Sequence, residues 1–227
     1  MRVLAVVHQD DAGPGVFADA VRERGDSLEE WRPDRGEAPP TKFDAVMVFG
    51  GAMNVGDPLP WLPAEKAFVR EVVDSETPVL GVCLGAQLLA EAAGGAVRRA
   101  QTPEIGWLEV EVDGGDDPLM SGLPDRFTAF GWHSYEAVPP PEGVALARSP
   151  SSLQAYRLDG APAWGIQFHA EVSAAGMRHW IENFHIDPDA AGLDPVALLA
   201  ESEPRLEGWN ELGRALCTRF LDAADVR

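Results

Sequence analysis

Cys83 has glycine two residues away on either side, in the stretch Gly81-Val82-Cys83-Leu84-Gly85. Val79 to Val82 is a short apolar run without polar alternation, which is the pattern of a strand buried on both faces. Leu84 to Ala93 is rich in helix formers and is followed by Gly94. This spacing predicts a sharp strand-to-helix turn with Cys83 at its apex, where small neighbours are needed and the central side chain is presented outward. A thiol at a helix N-terminus is stabilised as the thiolate by the helix dipole and by unpaired backbone N–H groups, and the same N–H groups can hold an oxyanion. That chemistry is nucleophilic acyl transfer. Taken alone, Cys83 also fits a small buried hydrophobe.

A thiolate nucleophile needs a base, and the base needs an orienting acceptor, both usually distant in sequence. Trp164-Gly165-Ile166-Gln167-Phe168-His169-Ala170-Glu171 supplies them. Along a strand, residues two apart share a face, so His169 and Glu171 project together while Ile166, Phe168 and Ala170 take the other parity. A third block, Ala45 to Phe49, reads as a strand that exits through Gly50-Gly51. Glycines let backbone N–H groups turn toward a substrate oxygen, so the Gly51 and Leu84 N–H groups form the expected oxyanion pair. By itself the glycine pair also fits a simple loop.

Gly81-Val82-Cys83-Leu84-Gly85-Ala86-Gln87 together with Gln167-Phe168-His169-Ala170-Glu171 resembles the class I, triad-type glutamine amidotransferase family. Val46-Met47-Val48-Phe49-Gly50-Gly51-Ala52-Met53 is similar to that family's oxyanion strand and loop, and the three blocks follow the family's order over roughly residues 1 to 185. The resemblance implies a flavodoxin-like amidotransferase fold with Cys83, His169 and Glu171 as the catalytic triad. It implies glutamine as substrate, a γ-glutamyl thioester, and release of glutamate and ammonia for an acceptor on a separate synthetase. Gln87 and the segment Gly131-Trp132-His133-Ser134-Tyr135-Glu136 resemble the family's glutamine-holding groups, which act largely through backbone atoms, so His133, Ser134 and Tyr135 join the expected substrate-binding set. His133 is also considered as an alternative base, but no acidic residue stands two positions on, and the resemblance gives that role to His169. Pro103-Glu104-Ile105-Gly106-Trp107 resembles a family segment near the nucleophile and fits equally well a structural strand start. Two other readings stay open: a hydrolase of γ-glutamyl amides or peptides using the same triad, and a binding or regulatory module without turnover. In acid the reaction is expected to fail as His169 takes a proton.

Around these residues the chain alternates strand and helix. Val3–Val7, Leu28–Trp31, Ala45–Phe49 and Val79–Val82 read as strands, with helices at Val16–Arg24, Ala64–Ser75 and Leu84–Ala93. Pro33–Pro40 and the proline-bearing stretch Asn54–Pro63 read as loops. This order predicts an α/β fold with a doubly wound, mostly parallel sheet, whose ligands bind beyond the carboxyl ends of the strands. From Ala96 to Asp159 the pattern becomes short alternating strands at Leu108–Asp113, Arg126–Gly131, Val144–Arg148 and Leu153–Arg157. Those are expected to form an antiparallel extension of the same sheet. Ser173 reads as the cap of a helix reaching about Phe184, with Met177, Trp180, Ile181 and Phe184 as its apolar stripe. Residues 187–204 are broken by Pro188, Pro195 and Pro204, and an amphipathic helix then runs from Leu206 to Ala224. The expected organisation is one domain over residues 1–186 with a helical extension, 187–227, which either caps that domain or meets a partner.

The chain has 227 residues, enough for one large α/β domain but too few for an amidotransferase fused to a synthetase. With 18 basic and 37 acidic residues its formal net charge is −19, which argues against a nucleic-acid footprint and fits a solvated acidic surface. Two cysteines, Cys83 and Cys217, make no disulfide framework, and Cys217 reads as packing. No charged leader precedes an apolar core and no apolar run spans a bilayer, so a cytoplasmic location is expected, with no membrane partner. His8, His179 and His185 lack metal-ligand spacing and no glycine-rich turn ends in the phosphate-binding GK[ST] pattern, so no metal and no cofactor are expected. The oligomeric state is left open.

Overall fold

Alternate residues of the first strand already serve two different cores: Val3 and Ala5 pack into one, Leu4 and Val6 into the other. The computed structural model describes residues 1–183 and 192–226. β1 (Arg2–Val6), β2 (Ser27–Trp31), β3 (Ala45–Val48) and β4 (Val79–Val82) alternate with α1 (Gly15–Glu23), α2 (Leu62–Asp74) and α3 (Leu84–Ala92). β3 and β4 are buried along their whole length, as their apolar runs require. Five strands pair in parallel in the order β2-β1-β3-β4-β9, where β9 is Ala163–Ile166. α1 packs on one face of this sheet, together with the C-terminal helix, while α2 and α3 pack against each other on the second face. The expected doubly wound α/β architecture is therefore present.

The sheet continues from β9 through β8 (Leu153–Arg157), β7 (Val144–Arg148), β5 (Ala96–Val112) and β6 (Arg126–Val138), each antiparallel to its neighbour. β7 and β8 have the bounds expected from sequence. β5 and β6 run much longer than expected, because the two strands stay paired past Gly106 and Gly131 up to Ala96 and Val138. A bulge between Arg99 and Glu104 absorbs the intervening residues, among them Pro103, which has no N–H to give the ladder. The segment Trp132–Glu136, beyond the strand expected at Arg126–Gly131, is thus the second half of β6.

After β9 come α4 (Ala174–Asn183), α5 (Pro195–Ser202) and α6 (Leu206–Asp225). Ser173 Oγ accepts the Gly176 N–H at 3.1 Å, which is the expected cap of α4. The stripe residue Phe184, together with His185, Pro188 and the expected boundary at 186/187, lies outside the described residues. Pro195 does not break structure. It starts α5, since a first-turn position needs no N–H donor, and the Asp194 side chain caps the Val196 and Ala197 N–H groups. Cys217 is fully buried on α6 and donates to Phe17 O at 3.7 Å, and burial pushes its thiol pKa up. Among the described residues, no helix is long and apolar enough to cross a membrane.

Candidate active site

Cys83 stands between β4 and α3 with φ 52° and ψ −107°, a positive-φ backbone conformation that a non-glycine residue adopts only when its surroundings enforce it. The two flanking glycines permit the tight strand–helix contact that holds it there. A Cβ on Gly85 would lie 1.9 Å from Val48 O, and one on Gly81 would lie 2.5 Å from the Gly85 backbone, so strand and helix meet more closely than any side chain allows. The expected elbow is present, with Cys83 heading α3 and its thiol 3.9 Å from Trp132 O.

His169 and Glu171 lie beyond the last ladder residue of β9, in irregular chain rather than in the strand expected from sequence. The alternation argument nevertheless leads to the right pairing, since His169 Nδ1 is 2.7 Å from Glu171 Oε1. What fixes them is a set of backbone anchors. His169 N–H donates to Phe130 O at 2.8 Å, and Glu171 O accepts the Val16 N–H at the start of α1. Trp209 Nε1 donates to His169 O at 3.1 Å and Asn210 Nδ2 to Val172 O at 2.9 Å, both from α6. The Trp180 ring stands edge-on to the imidazole at 4.8 Å.

Cys83 and His169 converge at Gly50. From the point where a Gly50 Cβ would sit, His169 Cε1 is 3.0 Å away and Cys83 Cβ is 3.6 Å away. Burial works most strongly against a charged imidazole here, but the negative charges of Glu171 and Cys83 and hydrogen bonds to both outweigh it, and the His169 pKa is pushed up to about 10. The direction of this shift favours the charged imidazole.

A cavity of about 430 Å³ opens over this junction, at the carboxyl ends of the strands. Cys83, His169, Gly51, Leu84, Gln87, His133, Ser134 and Tyr135 all line it; of the residues expected from sequence only Glu171 does not, standing behind His169. Leu84 is the first residue of α3, so its N–H has no acceptor within the helix. Gln87 is buried, donates to Tyr135 O at 3.0 Å, and approaches Gln167 Oε1 at 3.4 Å. The β5–β6 register pairs Tyr135 with Arg99 and His133 with Glu104, and passes over Ser134, which faces the bulge.

Two buried histidine–carboxylate pairs escaped the sequence reading. His133 Nε2 is 3.1 Å from Glu104 Oε2, across the ladder, while its Nδ1 is 3.0 Å from Tyr135 O. Glu104 also accepts from Ser149, Ser152 and Gln154, and although burial opposes its charge, His133 and the Ser149 and Ser152 hydroxyls hold its pKa down. His133 therefore does have an acidic partner, supplied by the neighbouring strand, and this pairing ties it into a structural network. His8 pairs with Glu65 at 2.6 Å. Neither pair has a signature in local spacing, because each joins two elements. Among the described residues no group of three His, Cys, Asp or Glu side chains is arranged to hold a metal ion.

The family model described as glutamine amidotransferase class-I matches residues 16–187. One component of the glutamine-hydrolysing GMP synthase of Saccharolobus solfataricus is 30% identical over 154 residues, covering 67% of this chain and 80% of that protein. A Salmonella typhimurium protein named as glutamine amidotransferase-like is 28% identical, covering 98% of this chain and 96% of its own length. Among solved structures, a glutamine amidotransferase from Thermotoga maritima superposes with a TM-score of 0.88 at 30% identity, over 98% of each chain.

Proposed function

Since the chain belongs to the class I glutamine amidotransferase family, we propose that it hydrolyses the γ-amide of glutamine through Cys83, His169 and Glu171 and delivers the ammonia to a separate synthetase. The observation that carries this reading is the convergence of Cys83 and His169, with Glu171 behind, on one cavity that also holds Gly51, Leu84 and Gln87. The Cys83 thiolate attacks the γ-carbonyl carbon, and the N–H groups of Gly51 and Leu84 receive the negative charge that forms on its oxygen. The His169 imidazolium gives its proton to the departing nitrogen, so the C–N bond breaks and ammonia leaves a γ-glutamyl thioester. Neutral His169 then takes a proton from water as its oxygen attacks the thioester. Glutamate leaves, and the thiolate–imidazolium pair is restored. Glu171 keeps the imidazole in orientation and balances its charge throughout. Gln87, Ser134 and Tyr135, with His133 holding the strand behind them, are assigned to the amino-acid end of the substrate. The named function of the archaeal relative, one component of a glutamine-hydrolysing synthase, supports a synthetase on another chain.

A cavity of about 430 Å³ leaves room beyond one amino acid, which favours a γ-glutamyl amide or peptide hydrolase as the second reading. Ammonia and glutamate release from L-glutamine, measured beside a panel of γ-glutamyl amides and peptides, separates the two. The expected result is release from glutamine, reduced about 10³-fold or more in Cys83→Ala, whose fold is unchanged. Preferential turnover of the panel would select the hydrolase, and undiminished turnover by Cys83→Ala would sink both.

A further inference from the structure

The chain leaving β1 reads Val7-His8-Gln9, and both polar side chains close on the loop that follows β3. His8 Nδ1 is 3.0 Å from Gly50 O, and Gln9 Oε1 accepts the Ala52 N–H at 2.7 Å. Behind His8, its Nε2 meets Glu65 Oε1 of α2, and both side chains are 0% exposed. Trp61 stacks on the imidazole at 5.8 Å. A histidine–carboxylate pair this deeply buried is costly to assemble, and the reaction proposed above uses neither member.

The hydrogen-bond roles follow from the acceptors. A carbonyl oxygen can only accept, so His8 Nδ1 carries a proton and donates it to Gly50 O. Burial opposes a charge on His8, but the Glu65 hydrogen bond and charge and the Gly50 carbonyl outweigh it and hold the imidazole above its ordinary pKa. An imidazole protonated on Nδ1, whether neutral or charged, supplies this donor. The Gly50 carbonyl and the Gly51 N–H belong to one planar trans peptide and point in opposite directions. Anchoring the carbonyl on His8 therefore aims the N–H away from His8. Glycine at position 51 makes this arrangement possible, because a Cβ there would lie 2.4 Å from Met53 Sδ, 3.2 Å from His8 Cβ and 3.4 Å from Leu84 Cδ2. Two consecutive glycines have the greatest freedom to rotate the peptide between them, so an outside anchor is needed to hold a donor in line.

We propose that His8, backed by Glu65, is the positioning residue for the oxyanion donor: its Nδ1–H holds the Gly50 carbonyl and thereby aims the Gly51 N–H at the oxygen of the scissile carbonyl. This rests on the reading of Gly51 and Leu84 as the oxyanion pair. An oxyanion donor acts on the transition state more than on bound substrate, so misaiming it lowers kcat and leaves KM nearly unchanged.

The test compares His8→Leu, His8→Gln and the double variant His8→Leu/Glu65→Leu. The double variant removes the buried charge together with its partner, so it tests the anchor in a protein free of an unpaired carboxylate. In both leucine variants kcat for glutamine is expected to fall about 10²-fold, with KM changed less than about threefold. Alkylation of Cys83 by iodoacetamide develops no oxyanion and should proceed at the wild-type rate. His8→Gln keeps a side-chain N–H and should recover part of kcat. In protein labelled with 15N-glycine, the Gly51 amide resonance should move in His8→Leu and return toward its wild-type position in His8→Gln. Wild-type kcat in the double variant, a parallel fall in alkylation rate, or an unmoved Gly51 resonance would overturn the inference. A Gly51 resonance that moves as expected, in a protein whose wild type hydrolyses no γ-glutamyl compound, would instead overturn the proposed function and leave the anchor standing.

Discussion

At the scale of single residues, the charge state of His169 sets how the proposed reaction responds to pH. Its folded-state pKa of about 10 lies above the value of about 6.5 expected when unfolded. The stability it contributes is therefore fully present below about pH 6.5 and is lost as pH rises through about 10. Catalysis should follow the same upper limit, because protonation of the departing ammonia needs the imidazolium. A pH–rate profile for glutamine hydrolysis is expected to descend toward pH 10, and a descending limb centred near neutrality would contradict the ion-paired site. Glu171→Ala removes the acceptor 2.7 Å from His169 Nδ1 and should lower kcat by about 10²-fold, less than Cys83→Ala, while bringing that alkaline limb down toward neutral pH. That Cys83, His169 and Glu171 come together was legible in the sequence, because the elbow spacing and the strand alternation singled them out and the family resemblance joined them. His8 with Glu65 and Glu104 with His133 were not, since each pair is made by tertiary packing between elements and leaves no periodic trace.

At the scale of elements, α6 holds the chain that carries His169. Trp209 gives its Nε1–H to His169 O while its ring packs against Phe168 and Trp107. Trp209→Phe keeps most of the ring and deletes the donor, leaving a buried carbonyl with one bond fewer. The expected outcome is a loss of about 1–2 kcal/mol in denaturant unfolding and a kcat several-fold lower, with Cys83 alkylation unaffected. Gly213→Ala is the harsher change, since the added methyl would lie 2.0 Å from Ala170 O and must push helix and catalytic segment apart. It should cost about 1–3 kcal/mol and most of the activity, and wild-type kcat in a folded Gly213→Ala protein would show that α6 has no hold on the base. Parallel strands and their helices were readable because continuous apolar runs and glycine ends mark them locally. The lengths of β5 and β6 were not, because pairing across the Arg99–Glu104 bulge carries polar residues such as Arg98 and Ser134 into a sheet that local polarity would end. Pro195 misled for a different reason: proline interrupts a helix interior but opens a first turn, and only the Asp194 cap distinguishes the two.

At the scale of the molecule, one core face of the sheet is completed by the last helix of the chain. Leu216, Cys217, Phe220 and Leu221 of α6 have no exposed surface, and Trp209 has 3%; all five join the same core as Val3, Met47, Phe130 and Phe168. The amphipathic pattern of residues 206–224 identified this helix in the sequence, but the pattern fits a face turned to its own sheet and a face turned to a partner equally well. Packing of α6 against α1 decides between them. Removing residues 206–227 would delete Leu216, Phe220 and Leu221 from the core and expose the sheet face they cover, and the burial of each contributes about 1.5–3 kcal/mol. Those three alone amount to roughly 5–9 kcal/mol, comparable with the whole stability of an ordinary domain. The ion pairs of Arg24 with Asp222 and Asp225, which also join α6 to the end of α1, are largely exposed on the aspartate side and add little to this. A chain ending at Arg205 is therefore expected to lose its cooperative thermal transition and to bind a hydrophobic dye, where the full chain does neither. The same truncation frees the backbone of His169 and Val172, so activity should vanish with the transition. A truncated chain that melts cooperatively yet hydrolyses nothing would separate the two roles, leaving α6 as a positioning element alone. One that melts cooperatively and still turns over glutamine would make it an appendage.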